Sequence, residues 1–263
     1  MSIDALRNIV NVLQMAVILV CLARCIRGIR RHSRPMLTLF FSLGLVCLFV
    51  SDLYWVVHTW MGKGVYTPFS AIDVGICGLY LLLAAAIDVV FREKSGDARA
   101  AVIAAAGFAA ANAALWIAWS GAVFQNILGG AAFVFLLCSA ARALKRSDAL
   151  SRREWTLLAA ACAALIAVNI ALLFHLSGSV YFAANLVNYV ILFVSLAFFF
   201  TRSIRALRHR DTDTALALSF STFTWNLIAL YLSEEPYYTV SDFFVIVSIV
   251  LMYLAVRRKA AEI

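Results

Sequence analysis

The chain has 263 residues, of which 64% are hydrophobic and 14% charged, and its formal net charge is +8. This composition excludes a soluble globular protein, whose apolar fraction is about 45–50%, and indicates a membrane protein. The apolar runs are continuous over about 20 residues instead of alternating over about ten, which predicts transmembrane helices and excludes a transmembrane β-barrel.

Taken in chain order, these runs predict an all-α, polytopic membrane helix bundle within a single integral membrane domain, 1–263. The nine predicted transmembrane helices are 7–26, 36–59, 69–91, 100–119, 122–141, 155–175, 180–201, 214–232 and 240–256. The first is expected to be a retained helix, because it has neither a basic n-region nor a small-residue cleavage site. The fourth is rich in alanine, which permits close helix approach, so we expect it to pack inside the bundle.

Lysine and arginine residues are concentrated at alternate ends of the predicted spans. Of the 22 basic residues, 20 lie in the segments 24–34, 92–99, 142–153, 202–210 and 257–259. The positive-inside rule places these segments in the cytoplasm, with the N-terminus outside and the C-terminus inside. The basic excess therefore predicts topology and argues against a nucleic-acid partner. We expect a multi-pass protein of the bacterial plasma (inner) membrane.

Asparagine and aspartate residues recur at fixed spacing within the apolar runs, in pairs that flank each outer turn. The pairs are Asp52 and Asp73, Asn112 and Asn126, Asn169 and Asn188, and Asn226 and Asp242. Such self-similarity indicates duplicated supersecondary units, here four helical hairpins behind one extra helix.

A longer period, near half the chain, also relates His58 to His175 and Tyr66 to Tyr181. It predicts an extra N-terminal helix and basic loop at 7–34, repeat one at 35–146 and repeat two at 147–263. Because four helices is an even number, the two four-helix repeats would be parallel, related by an axis along the membrane normal.

Polar residues inside a membrane are costly unless they face protein, water or a ligand, so these residues are the functional candidates. The carboxyl groups of Asp52 and Asp73 could be protonated and hydrogen-bonded, hydrated in an outward vestibule, or bound to a cation or cationic ligand. The alternative role for the amides is interhelical hydrogen bonding, worth about 0.6 kcal/mol each. The predicted ligand-binding residues are Asp52, His58, Tyr66, Asp73, Asn112, Asn169, His175, Asn188, Asn226 and Asp242.

Several chemistries have no counterpart in this sequence. No lysine lies inside a span to form a retinal Schiff base, and phosphate loops, zinc-protease motifs and nucleophile elbows are absent. We therefore predict no catalytic residue, no cofactor and no metal site, and a protein that is not an enzyme. Asp88 is expected to pair with Arg92, four residues later on the same helix.

Residues 51–83 combine an aspartate and an aromatic residue with an outer turn and a returning aspartate: Asp52, Tyr54, Tyr66, Asp73 and Tyr80. This segment resembles the multi-helix membrane sensor regions that precede PAS, histidine-kinase or diguanylate-cyclase domains in bacterial signalling proteins. No effector domain follows it here, so the resemblance implies signal transduction through a cytoplasmic or membrane partner.

The leading hypothesis is a sensor or receptor with an outward-facing polar vestibule. A small-solute or cation- or proton-coupled transporter or channel is the alternative. A structural or assembly membrane subunit, with the amides as interhelical glue, is the second alternative.

Overall fold

A computed structural model of the chain describes residues 3–29, 33–61, 70–120, 123–174, 178–234 and 237–262. These residues form nine helices and no strand, and eight of the helices are long and apolar enough to cross a membrane, which confirms a multi-pass helical fold. The helices are α1 Ile3–Gly28, α2 Pro35–Trp60, α3 Ala71–Phe91, α4 Arg99–Ser120, α5 Val123–Arg146, α6 Arg152–Leu173, α7 Gly178–His209, α8 Thr212–Tyr231 and α9 Tyr237–Ala260.

Helix α8 is the one that falls short of the apolar criterion, and it lies at the centre of the bundle. Every residue from Ala215 to Ala229 is buried, and α3, α5, α7 and α9 contact it. Its serine, threonine and asparagine side chains lower its hydropathy but meet other helices instead of lipid, where an unpartnered polar group is expensive. Ser203 and Thr222, for example, share a hydrogen bond of 2.8 Å between α7 and α8.

The expectation that the alanine-rich fourth span packs inside the bundle is wrong. Only Phe108 and Ala109 of α4 are buried, and the helix packs mainly on α5 and α6, with ring contacts from Phe108 and Trp116 to α8. Alanine permits close approach but does not require it. The sequence of α4 is apolar enough to face lipid, whereas that of α8 needs enclosure.

Local sequence signals fix where several helices begin. Pro35 occupies the first turn of α2, where its missing N–H costs no hydrogen bond. Ser151 and Glu154 form a capping box on α6, in which the hydroxyl of Ser151 accepts from the Glu154 N–H at 3.3 Å. Asp211 caps α8 by accepting a hydrogen bond of 3.1 Å from the Thr214 N–H.

The connections that carry the basic residues meet at one end of the bundle, which we call the basic end. The N–H of Ser33 donates to the carbonyl of Ala260 at 2.9 Å, which ties the α1–α2 connection to the end of α9. The hydroxyl of Thr214 donates to the carbonyl of Ser147 at 3.3 Å, which ties α8 to the α5–α6 connection. The opposite end, which carries the asparagine and aspartate pairs, is called the polar end.

Ion pairs at the basic end join different helices. Asp213 on α8 pairs with Lys94 and with Lys259 of α9, the latter at 2.8 Å. Asp88 pairs with Arg142 of α5 at 2.5 Å instead of with Arg92, so the predicted i,i+4 pair is wrong. An arginine on a facing helix reaches the carboxylate that sequence spacing had assigned to a near neighbour.

Three helix contacts occur in both halves of the chain. α2 packs on α3 as α6 does on α7, α4 on α5 as α8 does on α9, and α3 on α5 as α7 does on α9. The halves differ in one respect: α7 packs along α8, whereas α3 and α4 make no contact among the described residues. The internal repeat stays a prediction.

Candidate functional site

The predicted site residues lie at the polar end but do not form one vestibule. Tyr66 and His175 lie outside the described residues. The other eight fall into separate groups: Asp73 and Asn112 line a cavity, Asp52 and Asp242 flank α1, Asn169 and Asn188 bind each other, and Asn226 and His58 have local partners.

The cavity has a volume of about 300 Å³ and is enclosed by α3, α4, α5 and α8. It extends from Asp73 in the first turn of α3 to Tyr80, seven residues or about 10 Å further along that helix. A gap of this size is within the range of small-molecule sites, roughly 300–1,000 Å³. Close packing of Gly130 against Ala113 brings α5 and α4 together beside it.

Each of the four helices contributes one aromatic ring to the cavity wall. The rings belong to Tyr80, Trp116, Phe133 and Tyr231. The hydroxyl groups of Tyr80 and Tyr231 share a hydrogen bond, and the rings of Trp116 and Tyr231 meet edge to face at 4.2 Å. Tyr80 and Phe133 also meet edge to face, at 5.4 Å. The wall is therefore a linked set of aromatic groups.

Asp73 is held at the polar end of this cavity by its neighbours. Its Oδ2 accepts hydrogen bonds from the backbone N–H and the hydroxyl of Ser70, at 2.7 and 3.1 Å, and from the Gln125 amide at 3.5 Å. A carboxylate in the first turn of a helix is also favoured by the helix dipole. No described residue donates to the other oxygen, Oδ1, which can accept from a ligand.

Two amides in the lining each donate from Nδ2 to a neighbouring residue. The Nδ2 of Asn112 donates to the Phe108 carbonyl at 2.8 Å, and that of Asn126 donates to the Ser120 hydroxyl at 2.6 Å. No described residue donates to their Oδ1 atoms. The polar lining consequently offers acceptors, which suit a ligand that is a cation or a hydrogen-bond donor.

A second group of polar side chains lies between α1, α2 and α9. Gln14, which is 3% exposed, donates from Nε2 to Oδ2 of Asp52 at 2.7 Å. Asn11, in the orientation that satisfies its neighbours, donates to Asp242 at 3.2 Å and accepts from the Trp55 indole at 2.8 Å. The Oε1 of Gln14 is buried and accepts no hydrogen bond from a described residue.

Arg7 of α1 lies beside this second group. Its guanidinium lies over the rings of Trp55 and Tyr238, at 4.6 and 4.7 Å from their centroids. Cation–π contacts of this kind contribute about 0.5–2 kcal/mol, depending on desolvation. The first helix therefore supplies one cation and two amides around the carboxylates of α2 and α9.

Asn169 and Asn188 form a buried amide pair that holds helices together. Asn169 donates to Oδ1 of Asn188 at 3.0 Å, and Asn188 donates to the carbonyl of Leu232, the residue that caps the end of α8. Asn226 similarly donates to the Ser241 carbonyl of α9 at 3.1 Å. These contacts account for the three asparagines as interhelical hydrogen-bonding groups.

His58 stacks on Tyr54, one turn earlier on α2, with ring centroids 5.9 Å apart. The contacts of Asp52 are directed to α1 instead, because six residues along a helix turn the side chain to another face. The aspartate and the histidine thus belong to different surroundings.

The sequence interpretation missed the partners supplied by α1 and the aromatic cavity wall. Asn11 and Gln14 lie three residues apart in an otherwise apolar stretch, which places them on one helix face and could have marked them. The aromatic residues gave no such signal, because membrane proteins place many tyrosines and tryptophans at the interface.

No protein-family model matches this chain. Neither a curated protein nor a solved structure matches it. Function has to be inferred from the chemistry of the cavity and of its surroundings.

Proposed function

We propose that the protein is a bacterial plasma-membrane receptor of sensor type, which binds a small organic cation in the α3–α4–α5–α8 cavity. The observation that carries this proposal is the combination of four aromatic rings around one space with the carboxylate of Asp73, whose Oδ1 has no donor among the described residues. Aromatic rings attract ammonium groups, and the carboxylate supplies the counter-charge. The amide oxygens of Asn112 and Asn126 add partial negative charge beside a bound ammonium group.

The proposed topology has all nine helices crossing the membrane, with the N-terminus outside and the C-terminus inside. The distribution of basic residues supports this orientation. α8 then crosses within the ring of other helices, which would account for its polar composition. The three helix contacts that occur in both halves support the parallel four-helix repeats.

Signal transfer would follow α8, which connects the cavity to the basic end. Its last residue, Tyr231, lines the cavity, and its second residue, Asp213, pairs with Lys94 and Lys259. The 20-residue helix spans about 30 Å. Movement of Tyr231 on ligand binding would therefore shift Asp213 at the cytoplasmic surface, where a partner protein would sense the change.

The proposal is tested by thermal unfolding in detergent with benzyltrimethylammonium and with its uncharged isostere neopentylbenzene. We expect the cation alone to stabilise the wild-type protein, and Asp73→Asn and Tyr231→Leu each to weaken its binding about tenfold or more. Asp52→Asn is the control, because Asp52 does not line the cavity. Equal stabilisation by the two compounds, or an unchanged effect in Asp73→Asn, would contradict the proposal.

A cation- or proton-coupled transporter is the second candidate, and one observation favours it. Asp52 and Asp242 lie on either side of α1, and no described residue donates to the buried Oε1 of Gln14. Carboxylate and amide oxygens are ligands for hard cations. Proteoliposomes that contain the wild-type protein should then take up sodium, driven by a pH gradient, faster than proteoliposomes that contain Asp52→Asn. Equal background flux with the two proteins would exclude this function.

A further inference from the structure

A second cavity, of about 360 Å³, lies at the basic end, between the last turns of α1 and α9 and the first turn of α2. Of the eight described residues that line it, three are arginines, Arg24, Arg27 and Arg257, and none is acidic. Thr38 of α2 and Tyr253 of α9 also line it. It is separate from the proposed ligand cavity, with which it shares no residue.

The side chains of these three arginines make no ion pair or hydrogen bond with a described residue, whereas those of six other cations of the basic end do. Lys94 and Lys259 pair with Asp213, and Arg142 pairs with Asp88. Arg146, Arg202 and Arg258 donate to backbone carbonyls of other segments. No described carboxylate therefore balances the charge around the cavity, and like charges that share a space repel each other.

The backbone adds to this positive field. Arg24 and Arg27 are three residues apart on α1 and therefore share a face. The N-cap of α2 is Arg34, whose side chain makes no cap hydrogen bond to the first turn. The N-terminus of a helix attracts anions through these N–H groups and the helix dipole.

We propose that this cavity binds a phosphate group, carried either by an anionic phospholipid or by a soluble phosphate. Guanidinium groups match phosphate oxygens in paired hydrogen bonds, and three of them can surround one phosphate. Basic pockets between membrane helices on the cytoplasmic side suit anionic head groups in particular. If these arginines only set the orientation of the helices in the membrane, their charge would be sufficient and they would bind no ligand together.

The test compares two charge-matched triple variants of the full chain. Arg24→Gln/Arg27→Gln/Arg257→Gln removes the cavity arginines. The control variant, Arg153→Gln/Arg205→Gln/Arg208→Gln, removes three equally exposed arginines of the basic end that lie outside the cavity and have no side-chain partner among the described residues. Binding is measured by native mass spectrometry with dioleoylphosphatidylglycerol, with dioleoylphosphatidylcholine, and with inorganic phosphate as competitor.

We expect the wild type and the control variant to bind phosphatidylglycerol more tightly than phosphatidylcholine. The affinity of the cavity variant for phosphatidylglycerol should be lower by about tenfold or more. Displacement by inorganic phosphate would assign the site to soluble phosphates, and its failure would assign it to the lipid. Equal losses in the two triple variants, or no preference for phosphatidylglycerol in the wild type, would overturn the proposal. If the cavity variant does not fold, Arg257→Lys replaces it, because lysine keeps the charge but cannot form paired hydrogen bonds with a phosphate. Unchanged affinity of Arg257→Lys for phosphatidylglycerol would also overturn the proposal.

Discussion

The side-chain amide of Gln14 donates a hydrogen bond of 2.7 Å to Oδ2 of Asp52, which joins the first helix to the second at the polar end. The carboxylate therefore has a neutral donor within the bundle. Its nearest partner comes from the helix that precedes the predicted repeats.

Gln14→Leu removes this donor and leaves the carboxyl group of Asp52 in an apolar setting. We expect the free energy of unfolding to fall by roughly 1–3 kcal/mol, the cost of an unsatisfied buried polar group. The further change Asp52→Leu should restore part of the loss, because no polar group then remains unpaired. Thermal unfolding in detergent measures both effects, with Asn8→Leu on the same helix as control. A Gln14→Leu protein as stable as the control would contradict this role.

Asn188→Ala should destabilise the protein more than Asn169→Ala. Asn188 makes two interhelical hydrogen bonds, to Asn169 and to the Leu232 carbonyl, whereas Asn169 makes one. With about 0.6 kcal/mol for each such bond, the difference should be of that order. Unfolding free energies of the two variants and of the double variant provide the measurement. A larger loss for Asn169→Ala would show that the assigned hydrogen-bond pattern is wrong.

Gly75→Ala tests the close contact between α2 and α3. An added Cβ would lie 2.1 Å from the Ser51 hydroxyl and 2.9 Å from the Cys47 carbonyl, so the helices would have to separate. We expect a loss of about 1–3 kcal/mol, as for other overpacked interfaces. The control is Gly107→Ala on α4, where no atom lies within 4 Å of the new Cβ and no loss is expected. Equal stability of the two variants would argue against this packing.

The fold was more predictable than the site, and particular residues show why. Continuous apolar runs predict helices such as α2 and α9, because an apolar run of sufficient length is stable as a helix across the lipid bilayer. The central position of α8 was not evident, since Ser219 and Asn226 lower its hydropathy without showing which helices enclose it. Sequence spacing also assigned Asp88 to Arg92, although the facing helix offers Arg142 at 2.5 Å. The sequence therefore predicts how far along a helix a residue lies, but its partner depends on which helices pack together.

The ion pairs of Asp213 predict a pH dependence of stability. Burial opposes ionisation of this carboxyl group, but hydrogen bonds and charge from Lys259 and Lys94 outweigh it and hold its pKa below the ordinary 3.8. A lowered pKa stabilises the folded protein fully above the unfolded value, and this contribution is lost as pH falls through the folded value. Asp213→Asn should therefore lower the unfolding free energy near neutral pH and have less effect well below the ordinary pKa.

Thermal unfolding of wild type and Asp213→Asn across this pH range checks the sign. Asp148→Asn is the control, because Asp148 is exposed and its side chain has no partner among the described residues. A deficit in Asp213→Asn that stays constant as the pH falls would contradict the assignment.

The most direct test of the proposed receptor function locates the bound cation. A benzyltrimethylammonium derivative that carries a diazirine is photolysed with the purified protein, and the labelled peptides are identified by mass spectrometry. Labels on the segments of α4, α5 and α8 that contain Trp116, Phe133 and Tyr231, lost in Asp73→Asn and retained in Asp52→Asn, are the predicted result. Labels spread over the lipid-facing surface, or found on α1 and α9 instead, would contradict binding in this cavity.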